Sequence, residues 1–235
     1  MSTAVPSLTP LPVGKTIRLL GVLLPGMRRV TAQIGPYTAW WDRQNQEAVN
    51  ADGPLLVAVG DSTAIGVGAS APDRGYVGRL ADRLSDFDGV NWRVVNLALS
   101  GARLQDALDR QLPILDDLRP DAVICCVGTN DVVWERSDGM LRRRLQELTD
   151  RLPSRSVVGV APGASWRSRM ANRTIRQGAA GNDLVVVDPW NEPGPAPLRR
   201  VSADRFHPND IGYGLMAKAF ARAMGRLDAD EPPTV

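Results

Sequence analysis

Five short, continuously apolar runs with helical patterns between them constrain this chain more than any other feature. They fall at 55–59, 94–97, 122–127, 157–160 and 184–187. Each has the length and, Asn96 apart, the unbroken apolar character of a strand buried on both faces. Between them, Tyr76, Val77, Leu80 and Leu84 mark one helical face, and Leu141, Leu145, Leu148 and Leu152 mark another. Ile211, Leu215, Met216, Ala219 and Phe220 mark a last helix. Strands that alternate with helices build a parallel sheet covered by helices on both faces, an α/β fold. Ligands of such sheets sit at the carboxyl ends of the strands, so chemistry is to be sought in the residues that follow each run.

The 235 residues suffice for one sizeable domain plus short appendages. A chain of this size can bury roughly 70% of its unfolded surface, so no covalent staple is needed. Cys125 and Cys126 are the only cysteines and are adjacent. That arrangement does not make a disulfide framework, and both read as small apolar residues of a buried strand. A net charge of +2 gives no electrostatic case for nucleic acid as a partner.

The best apolar stretch, 17–27, is broken by Arg18, Gly21, Pro25 and Gly26. It falls short of the roughly 20 residues that span a bilayer, and Arg28 and Arg29 stand where a signal-peptide cleavage site would need small residues. A cytoplasmic location is therefore expected.

Four segments are expected. Residues 1–14, with Pro6, Pro10 and Pro12, read as a flexible tail, and 229–235 as another. Residues 51–228 hold the α/β domain. Residues 15–50 precede the first strand and read as a helical extension interrupted at Pro25 and Pro36, with Trp40 and Trp41 in its second piece. A helix pair packed on the domain is one reading of it. A lid or peripheral membrane contact is the other, because Lys15, Arg18, Arg28 and Arg29 flank an apolar face.

Three clusters of polar residues follow strands or precede a helix. Gly60-Asp61-Ser62 ends the first run. A serine there can start a turn or helix whose backbone N–H groups face a developing oxyanion, or can simply cap that helix. The stretch is not a P-loop, because no Gly-Lys-Ser/Thr follows. It is not the Gly-x-Ser-x-Gly elbow, because Ala64 replaces the second glycine. It is not a dinucleotide fingerprint either, since Gly66-Val67-Gly68 is followed by Ala71 where the third glycine belongs. Gly128-Thr129-Asn130-Asp131 ends the third run, and an asparagine there can aim an uncharged N–H at an oxyanion. Asp204-Arg205-Phe206-His207-Pro208 precedes the last helix. His207 is the only histidine, so a histidine base must be this one, and Asp204 is near enough in sequence to reach Nδ1. Ser100-Gly101, after the second run, offers an unhindered backbone N–H.

Taken together, these blocks resemble the SGNH (GDSL-type) hydrolases across roughly residues 54–226. The resemblance implies a flavodoxin-like three-layer α/β/α sandwich with a five-stranded parallel sheet. It also implies a nucleophile at Ser62 completed by Asp204 and His207, and an oxyanion hole from Ser62 N–H, Gly101 N–H and the Asn130 side chain. The first block of the family commonly reads Gly-Asp-Ser-Leu, and Thr63 stands in place of the leucine. The expected function is hydrolysis of acyl esters or thioesters, of small-molecule or lipid type, through an acyl-enzyme. Acyl transfer through the same intermediate, and a silent binding module of the same fold, stay open. One histidine and two adjacent cysteines make a poor zinc set, so neither metal nor cofactor is expected. Trp134 and Trp166 are candidates to line an acyl pocket. Arg167, Arg169, Arg173 and Arg176 read as a solvated helix face.

Overall fold

The computed structural model describes residues 25–227. The expected tails, and residues 15–24 of the extension, lie outside that range. Helices α1 (Pro25–Thr31) and α2 (Ile34–Asn50) come first. The chain breaks between them at Ala32-Gln33 and not at Pro36, which lies in the first turn of α2, where a missing N–H costs little. The residues before Pro25, on which the expected break there depends, lie outside the described range.

Five strands follow: β1 (Leu55–Gly60), β2 (Arg93–Asn96), β3 (Ala122–Cys126), β4 (Val157–Gly159) and β5 (Val185–Val187). All pair in parallel in the order β2-β1-β3-β4-β5. This is the flavodoxin-like order, and its switch point lies between β1 and β3. The five apolar runs coincide with the strands to within a residue or so at each end.

Alternation along the strands divides the core. Leu55, Val57, Val59, Val123 and Cys125 face one layer. There they meet α5 (Leu104–Asp106), α6 (Leu112–Leu118), α8 (Asp138–Arg151) and α9 (Trp166–Gly181). Leu56, Ala58, Ile124 and Cys126 face the other layer, with α3 (Ser62–Ile65), α4 (Tyr76–Asp88) and α10 (Asp210–Ala223). Tyr76 of α4 stacks on Phe220 of α10 with ring centroids 5.2 Å apart, which joins these two helices. The periodic faces read from sequence are buried except at Ile211, which is 37% exposed. Cys125 and Cys126 are free and buried, and burial pushes the Cys125 thiol up to about 12, far from a reactive thiolate.

Helix α2 lies along the β2 edge of the sheet. Asn45 donates from Nδ2 to the Asn96 carbonyl at 2.9 Å and accepts the Asn96 N–H at 2.7 Å. A side chain thus satisfies edge groups that would otherwise template another strand. Among the described residues, no helix is long and apolar enough to cross a membrane.

Candidate active site

The carboxyl edge of the sheet gathers the polar clusters. β1 ends at Gly60, and Asp61 caps the short helix α3 by accepting the Thr63 N–H at 2.9 Å and the Thr63 hydroxyl. Burial pushes the Asp61 carboxyl up, against the opposing pull of its bonds to Thr63. Ser62 is therefore the first residue of the helix and not its cap. Gly60 serves by its size: a Cβ there would stand 2.5 Å from the Ala64 Cβ.

Ser62 Oγ lies 2.9 Å from His207 Nε2, and His207 Nδ1 lies 2.6 Å from Asp204 Oδ2. The other oxygen of Asp204 accepts from the Ser202 hydroxyl at 2.8 Å and from the Phe206 and His207 N–H groups at 3.0 Å each. Burial acts to raise the Asp204 carboxyl, but the hydrogen bond and charge of His207 and the two backbone N–H groups outweigh it and hold it at about 2. The carboxylate is consequently anionic across the neutral range. Arg205 adopts a left-handed conformation, φ 55°, which turns the chain so that the Asp204 and His207 side chains meet. This connected set can pass a proton from a serine hydroxyl to an imidazole held in one orientation.

Asn130 lies in the first turn of α7 (Thr129–Trp134) and faces the same cavity as Ser62 and His207. Its Nδ2 donates to the Ala102 carbonyl at 2.9 Å, leaving the second hydrogen of the amide available. Asp131 is fully buried and accepts the Leu104 N–H at 2.8 Å. Asn130 and Asp131 together pin the turn that carries Gly101. Gly101 has φ 77° and open space around it, and it does not itself line the cavity. Among the described residues, the N–H groups of Ser62 and Gly101 have no partner.

The cavity holds about 360 Å³, and its apolar wall includes Pro162, Pro189, Trp190, Leu215 and Met216. Trp134 and Trp166 take no part in it and are 57% and 56% exposed. Trp190, not singled out in the sequence, supplies the aromatic wall, with its Nε1 bonded to the Val160 carbonyl at 2.7 Å. Arg167 pairs with Asp138 at 3.1 Å, while Arg169, Arg173 and Arg176 line a shallow groove on α9 away from these groups. Among the described residues, no group of three or more His, Cys, Asp or Glu could hold a metal ion.

The parallel α/β/α sandwich joins a serine, a histidine and an aspartate at its carboxyl edge, an arrangement that recurs in serine hydrolases. The profile of the GDSL-like Lipase/Acylhydrolase family matches residues 58–215, and the chain belongs to that family, the GDSL-type SGNH hydrolases. It is 30% identical over 160 residues to esterase TesA of Pseudomonas aeruginosa, covering 65% of this chain and 79% of that protein. It is 27% identical over 185 residues to the GDSL-like esterase Rv1075c of Mycobacterium tuberculosis, covering 69% of this chain and 59% of that protein. Among solved structures, the crystal structure of TesA superposes with a TM-score of 0.63 at 20% identity, over 74% of this chain and 99% of that one. LAE5, an alpha/beta hydrolase enzyme from the metagenome of Lake Arreo, Spain, does so with 0.60 at 25% identity, over 76% and 98%.

Proposed function

We propose that this chain is a serine esterase whose nucleophile is Ser62. His207 takes the Ser62 proton as Oγ attacks the carbonyl carbon of an acyl ester, and Asp204 holds the imidazole and stabilises the imidazolium. The negative oxygen of the tetrahedral intermediate lies against Ser62 N–H, Gly101 N–H and Asn130 Nδ2. His207 then protonates the departing alcohol, leaving an acyl group on Ser62. Water, activated by the same imidazole, releases the acid and restores the serine. The wall of Pro162, Trp190, Leu215 and Met216 favours an uncharged, apolar acyl group. The observation that carries this reading is the 2.9 Å contact of Ser62 Oγ with His207 Nε2, continued at 2.6 Å to Asp204.

The test combines a variant with a covalent probe. Ser62→Ala should lower kcat by up to about 10⁶-fold while the folding transition is kept. A fluorophosphonate should label the wild type once per chain, on the peptide that contains Ser62. Turnover retained in the variant, or label found on another residue, would overturn the assignment.

A further inference from the structure

Helix α2 lies wholly outside the family match of 58–215, yet it is bonded to the segment that leaves Ser62. Its N-cap Gln33 and the residues Tyr37 and Trp41 are spaced by four, so they share one face. Gln33 grips two consecutive residues: Oε1 accepts the Gly68 N–H at 2.8 Å and Nε2 donates to the Ala69 carbonyl at 3.0 Å. The Tyr37 hydroxyl donates to the same Ala69 carbonyl at 2.9 Å, and Trp41 Nε1 donates to the Ile65 carbonyl at 3.0 Å.

The gripped segment stands directly behind the histidine. Gly68 has φ +101°, and a Cβ placed on it would come within 2.5 Å of the Pro208 carbonyl oxygen and 2.8 Å of the His207 Cβ. The Gly68 backbone is thus the surface on which the His207-Pro208 backbone rests. From the other side, Tyr213 holds Val67 and Asp210 holds Ser70, both from α10. Segment 65–70 is a bridge between α2 and α10, and His207 leans on its middle.

We infer that Gln33 is a positioning residue for the ester-hydrolysing reaction: by fixing Gly68, it fixes how far His207 Nε2 reaches toward Ser62 Oγ. This rests on the reading of Ser62 and His207 as nucleophile and base. Gln33 touches neither. An anchor needed only to hold a helix down could be apolar, whereas this side chain matches one N–H and one carbonyl of a left-handed backbone turn. Small errors in the placement of reacting groups are expensive in rate, about 10²-fold for 1 Å.

The experiment uses the full chain with Gln33→Met, which keeps the side-chain length and removes both polar ends. Ile175→Val, buried in α9 on the opposite face of the sheet, is the stability control. Kinetics on a soluble aryl ester, the rate of fluorophosphonate labelling and the thermal midpoint are measured for each. Gln33→Met should lose about tenfold in kcat and in labelling rate with KM nearly unchanged. Ile175→Val should lower the midpoint and leave both rates intact. Wild-type rates in Gln33→Met, or an equal loss in Ile175→Val, would overturn the role of Gln33 alone. A wild type that is not labelled at Ser62 would overturn the nucleophile and the role of Gln33 with it.

Discussion

Gln111 is bonded to both backbone groups of Gly60, its Oε1 accepting the N–H at 2.8 Å and its Nε2 donating to the carbonyl at 2.9 Å. β2 ends at Asn96, opposite Ala58, and beyond it the Leu99 N–H still reaches the Gly60 carbonyl, at 3.3 Å. The side-chain amide supplies the acceptor for the Gly60 N–H that the ended strand does not, two residues before Ser62. Gln111 closes a π-helical turn, Ala107–Gln111, and such turns recur at functional sites. Gln111→Leu leaves the buried Gly60 N–H without a partner. It should cost about 1–3 kcal/mol of stability, read as a lower midpoint in chemical denaturation. An unchanged midpoint would mean that water or a rearranged backbone takes over the bond.

Asn130→Ala should lower kcat by about 10²–10³-fold and leave KM nearly constant, because the charge on the oxygen exists only in the transition state. Steady-state kinetics on one ester suffice. A raised KM with kcat intact would instead make Asn130 a substrate-binding group.

Asp204→Asn should preserve the fold, since an amide oxygen can still accept from Ser202, Phe206 and His207. The amide NH₂ would then face His207 Nδ1 and favour the wrong tautomer. A loss of about 10⁴-fold in kcat is expected, in a variant that still unfolds in one cooperative transition. Full activity in this variant would remove Asp204 from the mechanism.

Asp131 gives stability a pH dependence of defined sign. Burial raises its carboxyl to about 6, against the pull of the Leu104 N–H and of Arg103 and Arg144. The folded state therefore binds a proton more tightly than the unfolded chain. Its contribution is greatest in acid, falls as pH rises from about 4, and is gone above about 6. The stability of wild type relative to Asp131→Asn should fall by up to about 3 kcal/mol between pH 4 and pH 7. Denaturation of both proteins at the two pH values measures it, and a constant difference would contradict the raised carboxyl.

The layered sheet was legible because buried parallel strands carry their signal locally, in runs such as 55–59 and 122–127. The polar clusters were legible for a related reason, each being contiguous and attached to a strand end or helix start. The cavity wall was not. Trp190, Leu215 and Met216 come from different segments, and Trp134 and Trp166 look equally suited until the fold points them outward. Gln111 was hidden by its π-turn, which shifts it off the α-helical register. Helix α2 carried a visible apolar face, but its polar side chains signal nothing until their backbone partners are known.

The contact between Ser62 and His207 spans 145 positions of sequence. Ser62 follows the first described strand, and His207 precedes the last described helix. On the proposed roles of Ser62 and His207, a growing chain carries its serine long before it has an imidazole, and hydrolysis waits for the segment that supplies His207. In a refolding experiment it should arrive with the docking of α10, together with the burial of Phe220 against Tyr76 and never ahead of it.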